Sequence, residues 1–135
     1  FSNIVWEHDP AGHTIGGWGI MTTVRNYARF GYLFLNEGSW DGEQLIPEEW
    51  VSTSTEQALD VVDHYSYQWW LTSGLTNYDF PVSPETYMAV GIYTQRVIVV
   101  PEENLVIVRV GNDFSPDSSD WRTSDFLKLI MEAVN

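Results

Sequence analysis

The side chains that could do chemistry in this chain are mostly hydroxyls and carboxylates. The 135 residues contain no cysteine, which excludes a thiol nucleophile, a disulfide and a Cys-ligated zinc site. The three histidines are His8, His13 and His64, and acidic residues such as Asp9 and Asp63 lie beside two of them. No pair has the spacing of metal ligands in a helix or hairpin. We interpret them as surface histidines and predict no metal site.

A serine nucleophile needs a general base within reach, and the sequence offers few candidate bases. The only lysine is Lys128, and its nearest candidate partner is Ser124, four positions earlier in a predicted amphipathic helix. A helical i, i+4 surface pair explains this spacing better than catalysis does. We therefore predict no nucleophile and base pair from these two residues.

The segment Gly91-Ile92-Tyr93-Thr94-Gln95 interrupts a run of β-branched residues with a glycine, a tyrosine and small polar groups. It could be a bulge before a hairpin, with glycine where a side chain would clash. It could also line a site, because a backbone without a side chain lets a ligand approach. The residues alone favour the bulge and leave the site open.

Charge and composition exclude several classes of function. Six Lys plus Arg against nineteen Asp plus Glu give a net charge of −13, which disfavours binding to nucleic acid or to an anionic membrane surface. No apolar run is long enough to span a membrane, and the first residues lack the pattern of a signal peptide. The missing initiator methionine suggests a processed chain or a piece of a longer one.

The first half of the sequence predicts two helices after a glycine-rich loop at residues 1–20. Apolar residues at helical spacing, with Thr22 or Thr23 as N-cap and Gly38 as C′ residue, predict a helix over about 23–36. Asp41-Gly42 indicates a turn, and Pro47 at a first helical position predicts a short second helix before a polar loop at residues 55–64.

The second half predicts a sheet and a last helix. A short aromatic strand lies in "YSYQWWLT", and three more strands are expected near 85–92, 96–100 and 105–110. Pro101 and Asn104 predict a tight hairpin between the last two, whose continuous Val, Ile and Leu residues indicate a sheet covered on both faces. Ser118 or Ser119 could cap a C-terminal helix carrying Trp121 and Leu127. The fold class is α+β, an antiparallel sheet with a packed C-terminal helix.

Three blocks of the sequence resemble those of a known family, both in their residues and in their order along the chain. "GGWGIMTTVRNYARFGYLFLNEGSWDGEQLIPEEWV", "YSYQWWL" and "YMAVGIYTQRVIVVPEENLVIVRVGN" resemble the C-terminal part of the serine β-lactamase-related family, which includes class C β-lactamases, DD-peptidases, family VIII esterases and 6-aminohexanoate-dimer hydrolases. The "QWW" and "GIxxQ" pieces are more similar to the esterase and amide-hydrolase branch. The resemblance implies an incomplete β-lactamase/transpeptidase-like fold, with part of a helical subdomain at 1–60 and part of an α/β subdomain at 61–135.

The resemblance also implies acyl transfer by a serine of a Ser-x-x-Lys motif, with a Tyr-x-Asn-like motif and two oxyanion-hole amides. Neither motif occurs in this sequence. The expectation is a C-terminal fragment of a serine hydrolase, inactive alone, in which Ile92 supplies a backbone oxyanion donor and Gly91 lets substrate approach. The resemblance implies no cofactor. It does not fix the cellular compartment, although it favours the bacterial periplasm or an extracellular location.

Substrate binding is expected at three further residues. Tyr93 and Thr94 depart from the Gly-Gly or His-Gly that relatives commonly have before the glutamine, and Trp18 could form an aromatic wall. Of the adjacent Trp69 and Trp70, one should be buried in the core. The partners expected are a small ester or amide substrate and the missing N-terminal part of the protein, or self-association through the edge of strand 105–110. The alternative is a non-catalytic module that binds a peptide, peptidoglycan or glycan.

Overall fold

The computed structural model describes residues 2–56, 62–75, 81–112 and 122–134. Within these ranges the chain forms three α-helices and eight strands. In chain order they are β1 (Val5–Trp6), β2 (Ile20–Met21), α1 (Val24–Leu35), β3 (Ser39–Trp40), β4 (Glu43–Gln44), α2 (Glu48–Thr55), β5 (Trp70–Leu71), β6 (Tyr87–Val90), β7 (Arg96–Val100), β8 (Leu105–Arg109) and α3 (Thr123–Val134).

The main sheet is antiparallel and has the strand order β5-β6-β7-β8. Its longest ladder joins β7 to β8, with Ile98 opposite Ile107 at the centre. Two further sheets are short hairpins, β1 with β2 and β3 with β4. This mixed architecture confirms the predicted α+β class with an antiparallel sheet and a C-terminal helix.

Helices cover both faces of the main sheet. On one face Val99 belongs to a buried cluster with Phe34 of α1 and Val51 of α2. On the other, Ile98 and Val100 belong to a cluster with Leu127 of α3. Alternate residues of a strand point to opposite faces, so residues 97–100 of β7 can all be apolar and buried.

Helix α1 follows its predicted span closely. Thr23 caps its N-terminus, accepting a hydrogen bond from the Asn26 N–H at 3.2 Å. At the C-terminus the predicted C′ residue was wrong by one position. Glu37 takes the left-handed conformation (φ 53°), while the Gly38 N–H bonds the Leu33 carbonyl at 2.8 Å, which is the C″ bond of a Schellman motif. Gly38 is needed one residue later because a Cβ there would overlap the Ile46 carbonyl.

Two predicted element boundaries were also wrong. Helix α2 spans Glu48–Thr55, and Pro47, which was predicted at its first helical position, precedes it as N-cap residue. The strand expected over 85–92 ends at Val90, because the chain then leaves the sheet in a tight turn at Ile92–Thr94. The hairpin prediction is confirmed, since Asn104 adopts the left-handed conformation with φ 49° and ψ 44°.

Some predictions fall outside the described residues, among them the proposed caps Ser118 and Ser119 and the helical position of Trp121. The subdomain boundary near residue 60 stays a prediction. In the described part, α1 packs directly against β7 and β8 of the sheet. No helix among the described residues has the length and apolar character needed to cross a bilayer.

Candidate active site

Four of the five predicted site residues lie in one turn between β6 and β7. Gly91 has extended dihedrals (φ −106°, ψ 165°), and Ile92–Thr94 form a tight turn closed by the Gln95 N–H, which donates to the Ile92 carbonyl at 3.3 Å. Tyr93 and Thr94 both have positive φ, at 56° and 66°. Residues with a side chain pay roughly 1–2 kcal/mol each for that conformation. Other contacts must therefore hold this turn in place.

Two arginines of the adjacent strands supply such contacts. Arg109 Nη1 donates to the Thr94 carbonyl at 2.9 Å and also contacts the Thr94 hydroxyl. Arg96 Nη1 donates to the carbonyls of Gly91 at 3.1 Å and Gln95 at 2.7 Å. The carbonyl oxygens of the turn thus face inward, toward cations on β7 and β8.

The two arginines are direct cross-strand partners. Like charges in that position repel. Burial lowers the pKa of the Arg96 guanidinium, and the charge of Arg109 lowers it further. Two of the six cations of a chain with net charge −13 are therefore held together against electrostatic cost. The carbonyls of the turn offset part of that cost because they accept charge-assisted hydrogen bonds.

A third side chain, Gln95, ties the turn to the segment after β8. Its amide donates to the Gly111 carbonyl, and its Oε1 accepts the Gly111 N–H at 3.1 Å. The Gln95 side-chain amide thus forms a paired donor and acceptor contact with the Gly111 backbone, as a residue of a neighbouring strand would. Gly111 has no room for a side chain, because a Cβ would press on Arg109 Nη1 and come within 2.8 Å of the Tyr93 carbonyl.

The Ile92 N–H is a backbone donor of the turn that is open to a ligand. Within residues 2–56, 62–75, 81–112 and 122–134 it has no hydrogen-bond acceptor, whereas the neighbouring Gly91 N–H bonds the Gln95 carbonyl at 3.0 Å. Ile92 is 75% exposed. Chemically, the turn offers an N–H donor on a backbone whose carbonyls accept hydrogen bonds from two guanidinium groups, and such a donor suits an oxygen that gains negative charge.

Trp18, the fifth predicted site residue, lies on a separate loop. Trp6 Nε1 anchors that loop by donating to the carbonyls of Ile15 at 2.8 Å and Trp18 at 3.3 Å. The Trp18 side chain is 64% exposed, so it can contact a ligand. Of the two adjacent tryptophans, Trp69 is buried beside Phe34 and Tyr87, whereas Trp70 is half-buried.

Metal ligation has no support among the described residues, where no group of three His, Cys, Asp or Glu side chains could hold an ion. His13 pairs with Asp9 at 3.2 Å and His64 with Asp63 at 3.0 Å, both near the surface. Sequence reasoning missed the roles of Gln95, Arg96 and Gly111. The signal that could have found them is the two arginines placed in otherwise apolar strands.

Comparison with known proteins identifies the family of this chain. A family model described as beta-lactamase matches residues 3–130. A 6-aminohexanoate-dimer hydrolase from Paenarthrobacter ureafaciens is 27% identical over 125 residues, covering 84% of this chain and 30% of that protein. A solved structure from Bacillus anthracis, provisionally described as a 6-aminohexanoate-dimer hydrolase, superposes with a TM-score of 0.71.

That superposition covers 96% of this chain and 32% of the Bacillus protein, at 21% identity, and at that identity it shows the fold alone. The chain spans about a third of the length of both relatives. The family match covers nearly the whole sequence. The chain belongs to the beta-lactamase family, a family of serine hydrolases.

Proposed function

We propose that this chain is the C-terminal part of a serine hydrolase that acts on an ester, amide or β-lactam carbonyl. In this proposal the chain contributes one oxyanion-hole donor, the Ile92 N–H, and part of the pocket wall. The serine and its base belong to another part of the protein, since no Ser-x-x-Lys occurs in these 135 residues. Alone, the chain has no hydrolytic activity.

The observation that carries the proposal is the state of the Ile92 N–H. It is without an acceptor among the described residues, in a turn whose carbonyls are tied to Arg96 and Arg109. When an acyl carbonyl is attacked, its oxygen becomes negative and requires donors already in place. One such donor contributes about 3–4 kcal/mol of barrier lowering in acyl-transfer enzymes.

The substrate class we propose is a linear ester or amide with an apolar acyl portion. Tyr93 and Trp18 are both substantially exposed and can pack against such a group, while the Tyr93 hydroxyl can bond a substrate carboxylate. The name of the Paenarthrobacter relative describes hydrolysis of a 6-aminohexanoate dimer, which makes amides the first compounds to test.

A backbone donor can be removed by proline, and the site permits that test. Gly91 already has the extended conformation that precedes a proline, so Ile92→Pro deletes the N–H with little change to the turn before it. In the full-length protein we expect kcat on a nitrophenyl ester to fall by about 10²–10³-fold. Ile92→Ala, which keeps the N–H and removes most of the side chain, is the matched control and should retain activity within a few-fold.

Two outcomes would contradict the proposal. Equal rates for Ile92→Pro and Ile92→Ala would show that this N–H does not bind the oxyanion. Equal rates for the full-length protein and a variant with alanine at its Ser-x-x-Lys serine would exclude a serine mechanism. The second outcome favours the non-catalytic binding module, in which exposed aromatics such as Trp18 hold a peptide or glycan.

A further inference from the structure

The orientation of the Ile92 N–H depends on the peptide group that it shares with the Gly91 carbonyl. All peptide bonds among the described residues are trans. In a trans peptide the C=O and the N–H lie in one plane and point in opposite directions. A contact that holds the Gly91 oxygen inward therefore holds the Ile92 N–H outward.

Arg96 makes that contact. Its Nη1 lies 3.1 Å from the Gly91 oxygen and 2.7 Å from the Gln95 oxygen, so one guanidinium nitrogen bridges both ends of the turn. Its Nε lies 3.4 Å from the Thr123 hydroxyl at the start of α3. The backbone of Arg96 is fixed in turn by the ladder to Val90 and Arg109.

The other contacts of the turn act elsewhere. Arg109 holds the Thr94 carbonyl, and Gln95 binds Gly111 with both ends of its amide. These interactions position the C-terminal half of the turn. Among the described residues, the hydrogen bond from Arg96 is the only one that reaches the Gly91 oxygen.

We infer that Arg96 is a positioning residue for the oxyanion hole, which sets the direction of the Ile92 N–H through the Gly91 carbonyl without touching the substrate. This inference rests on the proposed function. It assigns a role in catalysis to Arg96, the one charged residue of the otherwise apolar strand β7. The half-buried position of Arg96 in a sheet does not by itself suggest such a role. Because the guanidinium donates to the carbonyl of the same peptide group, it polarises that group and strengthens the Ile92 N–H as a donor.

The test compares Arg96→Met with Arg96→Lys in the full-length protein. Methionine keeps the length and removes every donor, so we expect kcat on a nitrophenyl ester to fall about ten- to a hundredfold with KM changed less than threefold. Lysine can still donate to the Gly91 carbonyl and should recover at least part of that loss. Arg25→Met is the matched control, because Arg25 is exposed on α1 and its loss changes the net charge equally.

A second readout separates positioning from general damage. Phenylboronic acid forms a tetrahedral adduct when the serine oxygen bonds to boron, and one of its oxygens enters the oxyanion hole. Its affinity should fall in Arg96→Met by the same factor as kcat/KM, whereas affinity for a product carboxylate should not change. Loss of affinity for both ligands in equal measure would overturn the inference.

Failure of this inference and failure of the proposed function give different results. If Ile92→Pro abolishes activity but Arg96→Met equals the wild type, Arg96 positions nothing and the oxyanion role of Ile92 stands. If Ile92→Pro has no effect, the proposed function itself is wrong. Should Arg96→Met not fold, Arg96→Gln replaces it, since its shorter amide cannot bridge Gly91 and Gln95; a folded Arg96→Gln with wild-type kcat also overturns the inference.

Discussion

At the scale of single residues, Gly31 decides how closely α1 approaches the sheet. A Cβ at this position would lie 2.6 Å from Val106 Cγ1 and 3.0 Å from Val97 Cγ1. Both valines belong to the β7–β8 ladder, so neither can move away easily. Glycine in the middle of a helix costs about 1 kcal/mol relative to alanine, and here the close packing offsets that cost.

We predict that Gly31→Ala destabilises the fold although alanine favours the helix. Overpacking a core by one methyl costs about 1–3 kcal/mol, which exceeds the propensity gain, so a net loss of about 1 kcal/mol is expected. Urea unfolding measures it as a lower midpoint. Gly16→Ala is the control, because a Cβ there meets nothing within 4 Å. An unchanged or raised midpoint for Gly31→Ala would contradict this packing.

Residue-scale predictions from sequence succeeded where local chemistry determines the conformation. Asn104 tolerates the left-handed region, and Thr23 caps a helix with its own hydroxyl. They failed where distant contacts determine it. Glu37, Tyr93 and Thr94 adopt positive φ although no local sequence signal indicates it. The strand arginines hold the turn at Tyr93 and Thr94, and the packing of Gly38 against Ile46 holds Glu37. The candidate site residues were proposed through the family resemblance, but their contacts were not predicted.

At the scale of elements, β8 ends the described sheet. It pairs with β7 on one side, and no described strand pairs with its other edge. A hydrophobic strand with an open edge is a template for another strand. We predict that the isolated chain self-associates at tens of micromolar unless the rest of the protein pairs with this edge.

Sedimentation velocity tests this prediction. Val110→Lys adds a charge one residue beyond β8, at a half-exposed position, and should weaken the association. Leu129→Lys adds the same charge on α3, where the side chain is 67% exposed, and should leave the association unchanged. A monodisperse monomer of the unmodified chain at these concentrations would contradict the prediction.

Element types were predictable from the sequence, but the element ends were less so. The strand expected over 85–92 includes Gly91 and Ile92. The glycine marks a break in the β-branched run, but it does not show that the chain leaves the ladder directly after Val90. The end is fixed by the Gly91 to Gln95 hydrogen bond and by Arg96, which are contacts between residues and not preferences of single residues.

At the scale of the whole molecule, we propose that the chain is a scaffold for a backbone donor, the Ile92 N–H. Helices bury β7 from both sides, β7 and β8 carry the arginines, and the arginines hold the turn that exposes the Ile92 N–H. The chain covers about a third of its relatives. In our proposal, a serine from the rest of the protein completes the site.

The most direct measurement is a crystal structure of the full-length protein with a phosphonate or boronate bound to its serine. The account predicts an adduct oxygen about 2.7–3.1 Å from the Ile92 nitrogen, with the Gly91 carbonyl still bonded to Arg96. An adduct whose oxygens all lie beyond hydrogen-bond distance of the Ile92 nitrogen would contradict it.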